Sequence, residues 1–171
     1  MKEKILVTAT ELFLNLGFKS VTMDDLAEQM GISKKTIYTH FKNKTDLVEQ
    51  CTLSLFHKIS HGIDCICEKG KNPIEEEYEI KRFVMSNLKD EKTSPQYQLK
   101  KYYPQIYKTL QKKQYEVIKE CIRSNIQRGI EQGLYRKNLD ADLIARIYFS
   151  GMTSLKDDRL FPRDSFPMVP L

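Results

Sequence analysis

Three residues, Gly31-Ile32-Ser33, set the tightest limit on what this chain can fold into. They separate two short amphipathic segments, and each has its own local task. Gly31 can take a positive φ, Ile32 is an apolar plug, and Ser33 offers an oxygen to the free amides of a following helix. Upstream, Thr22 is an N-cap with Asp24 and Asp25 in the first turn beside the positive helix end. The spacing predicts a helix over about 23–30 that carries Leu26, Ala27 and Met30 inward. Downstream, Ile37 and Phe41, at i and i+4, predict a helix over roughly 34–41. Residues 3–16 supply a bracing helix whose stripe is Ile5, Ala9, Leu12, Phe13 and Leu16, stopped by Gly17-Phe18 with the glycine as a left-handed cap. Two short helices joined by a glycine-containing turn and braced by a third form a helix-turn-helix.

Such a unit works when its second helix enters the major groove of DNA, about 12 Å wide, and its first lies across the backbone. The second helix must then be apolar inside and polar or cationic outside. With Ile37 inward and successive residues turned by about 100°, Lys35 and Thr39 point directly away from the core. Thr36 and Tyr38 flank them, and Lys34 and His40 lie nearer the edges. Between Gly31 and Thr45 the charged residues are Lys34, Lys35, Lys42 and Lys44, with no acid among them. Residues 1–50 are neutral as a whole, so the cationic charge is focused on one short element, as an electrostatic footprint for phosphate should be. Lys44 stands in the first turn of the next helix, where a cation opposes the helix dipole unless an anion is to be bound there.

The rest of the chain also has helical period. Asn43 or Thr45 caps a long helix to about Glu68, roughly 35 Å at about 1.5 Å per residue. Gly70-Lys71-Asn72-Pro73 is a linker, Ile74–Leu88 a helix with an acidic start, Lys89–Ser94 a loop, and Gln96–Tyr103 a short helix. Pro104 begins a long helix to about Gln132, Gly133-Leu134-Tyr135-Arg136 turns the chain, and Asp140 caps a helix to about Leu155. The last fifteen residues hold Pro162, Pro167 and Pro170 and show no helical period.

Composition narrows the classes further. Seven Gly, six Pro and no Trp in 171 residues give little of the turn punctuation an all-β protein needs. The expected class is all-α. Cys51, Cys65, Cys67 and Cys121 lack disulfide-framework spacing, no apolar run approaches the length of a membrane span, and the N-terminal apolar stretch is interrupted by Thr8, Thr10 and Glu11. A cytoplasmic protein with reduced thiols and no membrane partner is expected. No nucleophile–base–orienter set, phosphate-cradling glycine loop or catalytic carboxylate pair is present, so no enzyme is expected.

The stretch Ile5-Leu6, Leu12-Phe13, Gly17-Phe18, Thr22, Leu26-Ala27, Gly31-Ile32-Ser33, Thr36-Ile37-Tyr38, His40-Phe41 and Lys44 resembles the signature of TetR-family repressors over about the first 50 residues. The resemblance implies a helix-turn-helix domain over 1–45 and a helical effector-binding and dimerisation domain over 46–171. It implies DNA contacts by Thr22, Lys34, Lys35, Thr36, Tyr38, Thr39, His40 and Lys44. Lys34, Lys35 and Thr36 would approach bases or their phosphates, Tyr38 and His40 would grip the backbone, and Lys44 and Thr22 would meet flanking phosphates. It further implies a homodimer on a near-palindromic operator and a small-molecule effector whose binding tilts the 46–68 helix. The alternative is a protein of this fold acting through a protein partner. Two departures stand out: many relatives carry a small residue at the position of Lys35, and relatives continue into a further long helix where this sequence has its Pro-broken tail.

Two further groups bear on a second site. Phe83, Tyr97, Tyr102, Tyr103 and Tyr107 are the aromatics from which an effector pocket would be built, although aromatics at helical spacing are more often core. His57, His61 and Cys65 fall at i, i+4 and i+8, a workable metal spacing, but ordinary half-buried residues are the favoured reading, and no metal or other cofactor is expected. Residues 100–136 are rich in Lys and Arg, which reads as the solvated side of a long helix.

Overall fold

The computed structural model describes residues 1–88 and 95–154. Among them are eight helices and no strand: α1 (Lys2–Leu16), α2 (Met23–Met30), α3 (Lys34–Tyr38), α4 (Lys44–Cys67), α5 (Pro73–Leu88), α6 (Pro95–Tyr102), α7 (Pro104–Glu131) and α8 (Ala141–Ser154). The all-α expectation holds. The expected Lys89–Ser94 loop and the Pro-broken tail lie outside the described residues.

The chain divides into two compact units, one of residues 1–61 and 87–112, the other of 62–86 and 113–171. These units cut across a division at residue 45, because α4 and α7 each belong partly to both.

In the first unit the core is one cluster. Ile5, Ala9 and Phe13 of α1 join Phe18, Val21, Leu26, Ile37, Phe41, Leu47 and Val48, all buried, and Leu99, Ile106 and Leu110 from α6 and α7 complete it. Leu16, expected on the α1 stripe, is 57% exposed. It is the last residue of its helix, beyond the turn that the core covers. Gly17 ends α1 with φ 90° and ψ 150° rather than in the left-handed helical region, and its N–H donates to the Phe13 carbonyl. A Cβ there would lie 2.5 Å from the Gln98 amide nitrogen, so the glycine also admits α6.

In the second unit Ile122, Ile126 and Ala145 form a smaller core, with Ile118, Ile130, Tyr135, Leu139 and Ile144 packed on it. Beside it runs a buried polar network. Glu76, 1% exposed, accepts from the Arg128 guanidinium and, at 3.0 Å, from the Asn125 amide. That amide also reaches the Pro73 carbonyl at 2.8 Å, and the Tyr135 hydroxyl donates to Asn125 Oδ1 at 3.1 Å. Both bonds to Glu76 fall on Oε1, while Oε2 is buried without a hydrogen-bond partner, so the Arg128 pairing is what offsets the burial of this carboxylate.

Candidate nucleic-acid interface

The turn between α2 and α3 is built from the residues that limited the fold. Gly31 has φ 61° and ψ 32°, the left-handed conformation, and its N–H donates to the Glu28 carbonyl at 3.1 Å while Ile32 N–H reaches Ala27 at 3.0 Å. These bonds satisfy the end of α2, and the chain leaves it at a fixed angle. At the other end of α2, Thr22 and Asp25 form a reciprocal capping box: Asp25 N–H donates to Thr22 Oγ1 at 3.1 Å, and Thr22 N–H to the Asp25 carboxylate at 2.7 Å. Those bonds, the backbone one first, hold the Asp25 carboxyl below the usual carboxylate range. Ser33 caps α3 by accepting from Thr36 N–H at 3.1 Å.

Helix α3 is shorter than its apolar spacing suggested. It ends at Tyr38 rather than near residue 41. The Thr39 hydroxyl donates to the Thr36 carbonyl at 2.6 Å, and His40 N–H turns back to the Ile37 carbonyl at 3.0 Å, so the helical ladder gives way to a tight turn. Phe41 remains in the core through its N–H bond to the Ile37 carbonyl at 3.1 Å. Asn43 caps α4 by accepting from Asp46 N–H at 2.9 Å, while the Asp46 carboxylate takes Lys42 N–H at 2.8 Å.

Ile37 is fully buried and Phe41 nearly so, which fixes the rotation of the segment. Lys34, Lys35, Tyr38 and Thr39 are exposed, and Thr22 is exposed at the start of α2. Tyr38, 44% exposed, presents an apolar ring with a polar tip. Thr36, His40 and Lys44 are half-buried. The Thr36 hydroxyl is shared with Ser33 Oγ at 2.8 Å. Lys34 forms an ion pair with Asp24 at 2.8 Å. Asp24 therefore faces Lys34 at the α2–α3 junction and trims the free positive charge at that edge. The Lys44 ammonium donates to the Lys19 carbonyl at 3.3 Å, and desolvation lowers its pKa, opposed by the nearby Asp25 carboxylate. Six of the eight residues thus lie on α3, its end and the turn after it, and Thr22 and Lys44 sit at the starts of α2 and α4.

The aromatic candidates are not gathered in one place. Tyr103 and Tyr107 pack on the core of the first unit, whereas Tyr97 and Tyr102 are exposed beside lysines. Phe83 belongs to the second unit, where its ring fills the space of a Gly62 Cβ and lines a shallow cavity of about 510 Å³ with Cys65, Ile66, Lys69 and Arg82. His57, His61 and Cys65 all lie on α4, but among the described residues no three His, Cys, Asp or Glu side chains converge as a metal site would require. The Glu76 network escaped the sequence reading, though the inward phase of Ile80, Phe83 and Val84 on α5 extends back to Glu76.

Residues 5–51 match the family described as bacterial regulatory proteins, tetR family. The chain is similar to the HTH-type transcriptional regulator YhgD of Bacillus subtilis (strain 168), 38% identical over 63 residues that cover 37% of this chain and 33% of YhgD. It is also similar to the biofilm operon icaADBC HTH-type negative transcriptional regulator IcaR of Staphylococcus aureus, 31% identical over 80 residues that cover 47% of this chain and 43% of IcaR. The aligned parts thus span less than half the length of these relatives. The solved structure of the transcriptional regulator FadR from Bacillus subtilis in complex with stearoyl-CoA shares the fold, with a TM-score of 0.66 and 19% identity over 94% of this chain and 90% of that one. Among the described residues no helix is long and apolar enough to cross a membrane. The helix-turn-helix thus lies within the segment, residues 5–51, that matches bacterial regulatory proteins of the tetR family.

Proposed function

We propose that the protein is a sequence-specific DNA-binding repressor that works in the cytoplasm as a homodimer and is released from its operator by a small-molecule effector. The observation that carries this reading is α3: a short helix with Ile37 locked in the core and Lys35, Tyr38 and Thr39 turned outward. In this reading α3 enters the major groove. Lys35 and Thr36 approach base edges, Tyr38, Thr39 and His40 hold the sugar-phosphate backbone, and Thr22, Lys34 and Lys44 meet flanking phosphates. Repression is supported by the naming of IcaR as a negative regulator.

Dimerisation is supported by α8, whose Leu143, Ile147 and Tyr148 are 53%, 63% and 49% exposed along one side. Such an apolar face in a chain of this size is what an interface between copies would cover. A two-fold dimer would set two α3 helices roughly 34–36 Å apart on a near-palindromic site. Effector response is supported by the stearoyl-CoA held in the FadR structure. An effector works only by binding the DNA-incompetent state more tightly than the other.

The test is enrichment of duplexes from random fragments by the full chain, followed by fluorescence anisotropy of the enriched duplex at fixed salt. Lys35→Ala and Tyr38→Ala are each expected to weaken binding at least tenfold with helicity unchanged. Equal affinity for enriched and mixed-sequence DNA, or no effect of both variants, would refute the reading. Light scattering tests the dimer, with Ile147→Glu expected to give a monomer.

A further inference from the structure

We infer that α6 carries a second DNA-contacting surface, a cationic patch of Lys19, Lys100 and Lys101 that holds the phosphate backbone beside the segment read by α3. The inference rests on the DNA-binding reading above and extends its footprint to a helix outside the helix-turn-helix.

The first unit itself brings α6 to the turn between α1 and α2. The Gln98 side chain lies against Gly17, where any Cβ would collide with it, and its oxygen accepts from Lys19 N–H at 3.4 Å. Phe18 meets Tyr103 edge-on at 6.2 Å, and Leu99 is buried in the same core as Phe13 and Phe18. With that face held, Tyr97, Lys100, Lys101 and Tyr102 are left exposed.

The cations then converge. The Lys19 ammonium lies 5.3 Å from the centre of the Tyr102 ring and the Lys101 ammonium 5.4 Å from the same centre. Lys101 is also 5.6 Å from the Tyr97 ring. Cation–π contact accounts for each ammonium singly. Both lysines are exposed, so water screens their mutual repulsion and leaves both ammonium groups open to an anion lying across the ring's edge. Residues 95–112 hold Lys100, Lys101, Lys108 and Lys112 and no Asp or Glu, so that segment supplies no counter-charge of its own.

The patch is also continuous with the phosphate contacts proposed at the helix starts. The Lys19 carbonyl takes the Lys44 ammonium, and Lys44 senses Asp25 of the Thr22 capping box. Contacts run from Lys44 through Lys19 and Tyr102 to Lys101, with cationic side chains along them, and Lys44 lies within electrostatic reach of the capping box at Thr22. A polyanion with regularly spaced charge that already lies against Thr22 and Lys44 is the partner this surface fits. Its contribution is independent of sequence, since ammonium groups on phosphates carry no base information.

The experiment uses the full chain, a labelled 40-base-pair duplex carrying the enriched sequence, and a mixed-sequence duplex of the same length, with anisotropy read across a salt series. Lys100→Gln/Lys101→Gln is expected to weaken both duplexes by about the same factor, roughly three- to tenfold near 0.1 M salt, and to lower the slope of log K against log salt by about 1–2. Lys100→Arg/Lys101→Arg should keep affinity and slope. Unchanged affinity and slope in the Gln pair, while Lys44→Ala still weakens binding, would overturn the α6 surface and leave the DNA reading standing. Loss confined to the enriched duplex would likewise overturn it, since base recognition and not backbone contact would then be involved. Failure of the unaltered chain to bind either duplex would overturn the DNA reading and this inference with it.

Discussion

Replacing Ile37 by alanine removes the one side chain that orients α3 and leaves every outward residue in place. Ile37 is 0% exposed, in a cluster with Ile5, Leu26, Phe41, Leu47 and Val48. Three carbons leave the core, worth about 2.4 kcal/mol at roughly 0.8 kcal/mol per methylene. The cavity left behind adds to this, because helices on three sides relax only in part, giving a total of about 3–4 kcal/mol. For a 171-residue chain that melts as one body, each kcal/mol is roughly 2–4 °C, so the expected fall in Tm is about 6–16 °C. Were the first unit to melt alone, the shift per kcal/mol would be larger, about 4–8 °C, and calorimetry would show two transitions. Ile37→Val should cost only about 0.5–1.5 kcal/mol, and Lys35→Ala, on the exposed side, less than about 0.5 kcal/mol. The assay is calorimetry paired with denaturant unfolding on all three variants. An unchanged Tm in Ile37→Ala, or a Lys35→Ala as unstable as it, would refute the inside–outside assignment of α3.

Three other expectations follow from the same geometry. Thr22→Ala deletes the α2 cap and should cost about 1 kcal/mol by denaturant unfolding. The linked Asp25 carboxyl has a lowered folded pKa, so the stability it contributes is complete above its ordinary value and lost as pH falls through the lowered one; carboxyl NMR titration should show that lowered midpoint, with only a partial return in Thr22→Ala, since alanine keeps the backbone N–H that is the larger cause. Arg128→Ala strands the Glu76 carboxylate in the second unit and should cost about 3–5 kcal/mol, whereas Glu76→Met/Arg128→Leu should recover most of it; a mild single variant would contradict the burial of Glu76. Gly31→Ala should cost about 1 kcal/mol through its positive φ alone, since a Cβ there meets nothing within 4 Å, and Gly31→Asn should cost less, as measured by Tm.

Much of the first fifty residues was legible because the signals there are local. Thr22, Gly31 and Ser33 each act on amides a few residues away, and the observed α2 spans the 23–30 read from the sequence. The end of α3 was less legible. Ile37 and Phe41 keep helical spacing, but the Thr39 hydroxyl and the His40 turn break the ladder between them without moving Phe41 from the core. The return of α6 to the α1–α2 turn depends on Gln98 meeting Gly17, residues far apart in the chain, and periodicity within either helix holds no record of it. That long-range contact divides the roles of the Tyr97–Tyr107 aromatics. Tyr103 and Tyr107 serve the core, and Tyr97 and Tyr102 serve a cationic surface. Glu76 was one acid among Glu75, Glu76 and Glu77 at a helix start, and only the phase set by Ile80 and Val84 distinguishes the one that turns inside.

The central claim is that the exposed side of α3 touches bases in the major groove. Photo-cross-linking from an enriched duplex with 5-iodouracil in place of thymine tests it directly, because the iodine projects into that groove. Peptide mapping by mass spectrometry is expected to find the cross-link within residues 34–40. Cross-links mapping instead to α5 or α8, with none on α3, would contradict it.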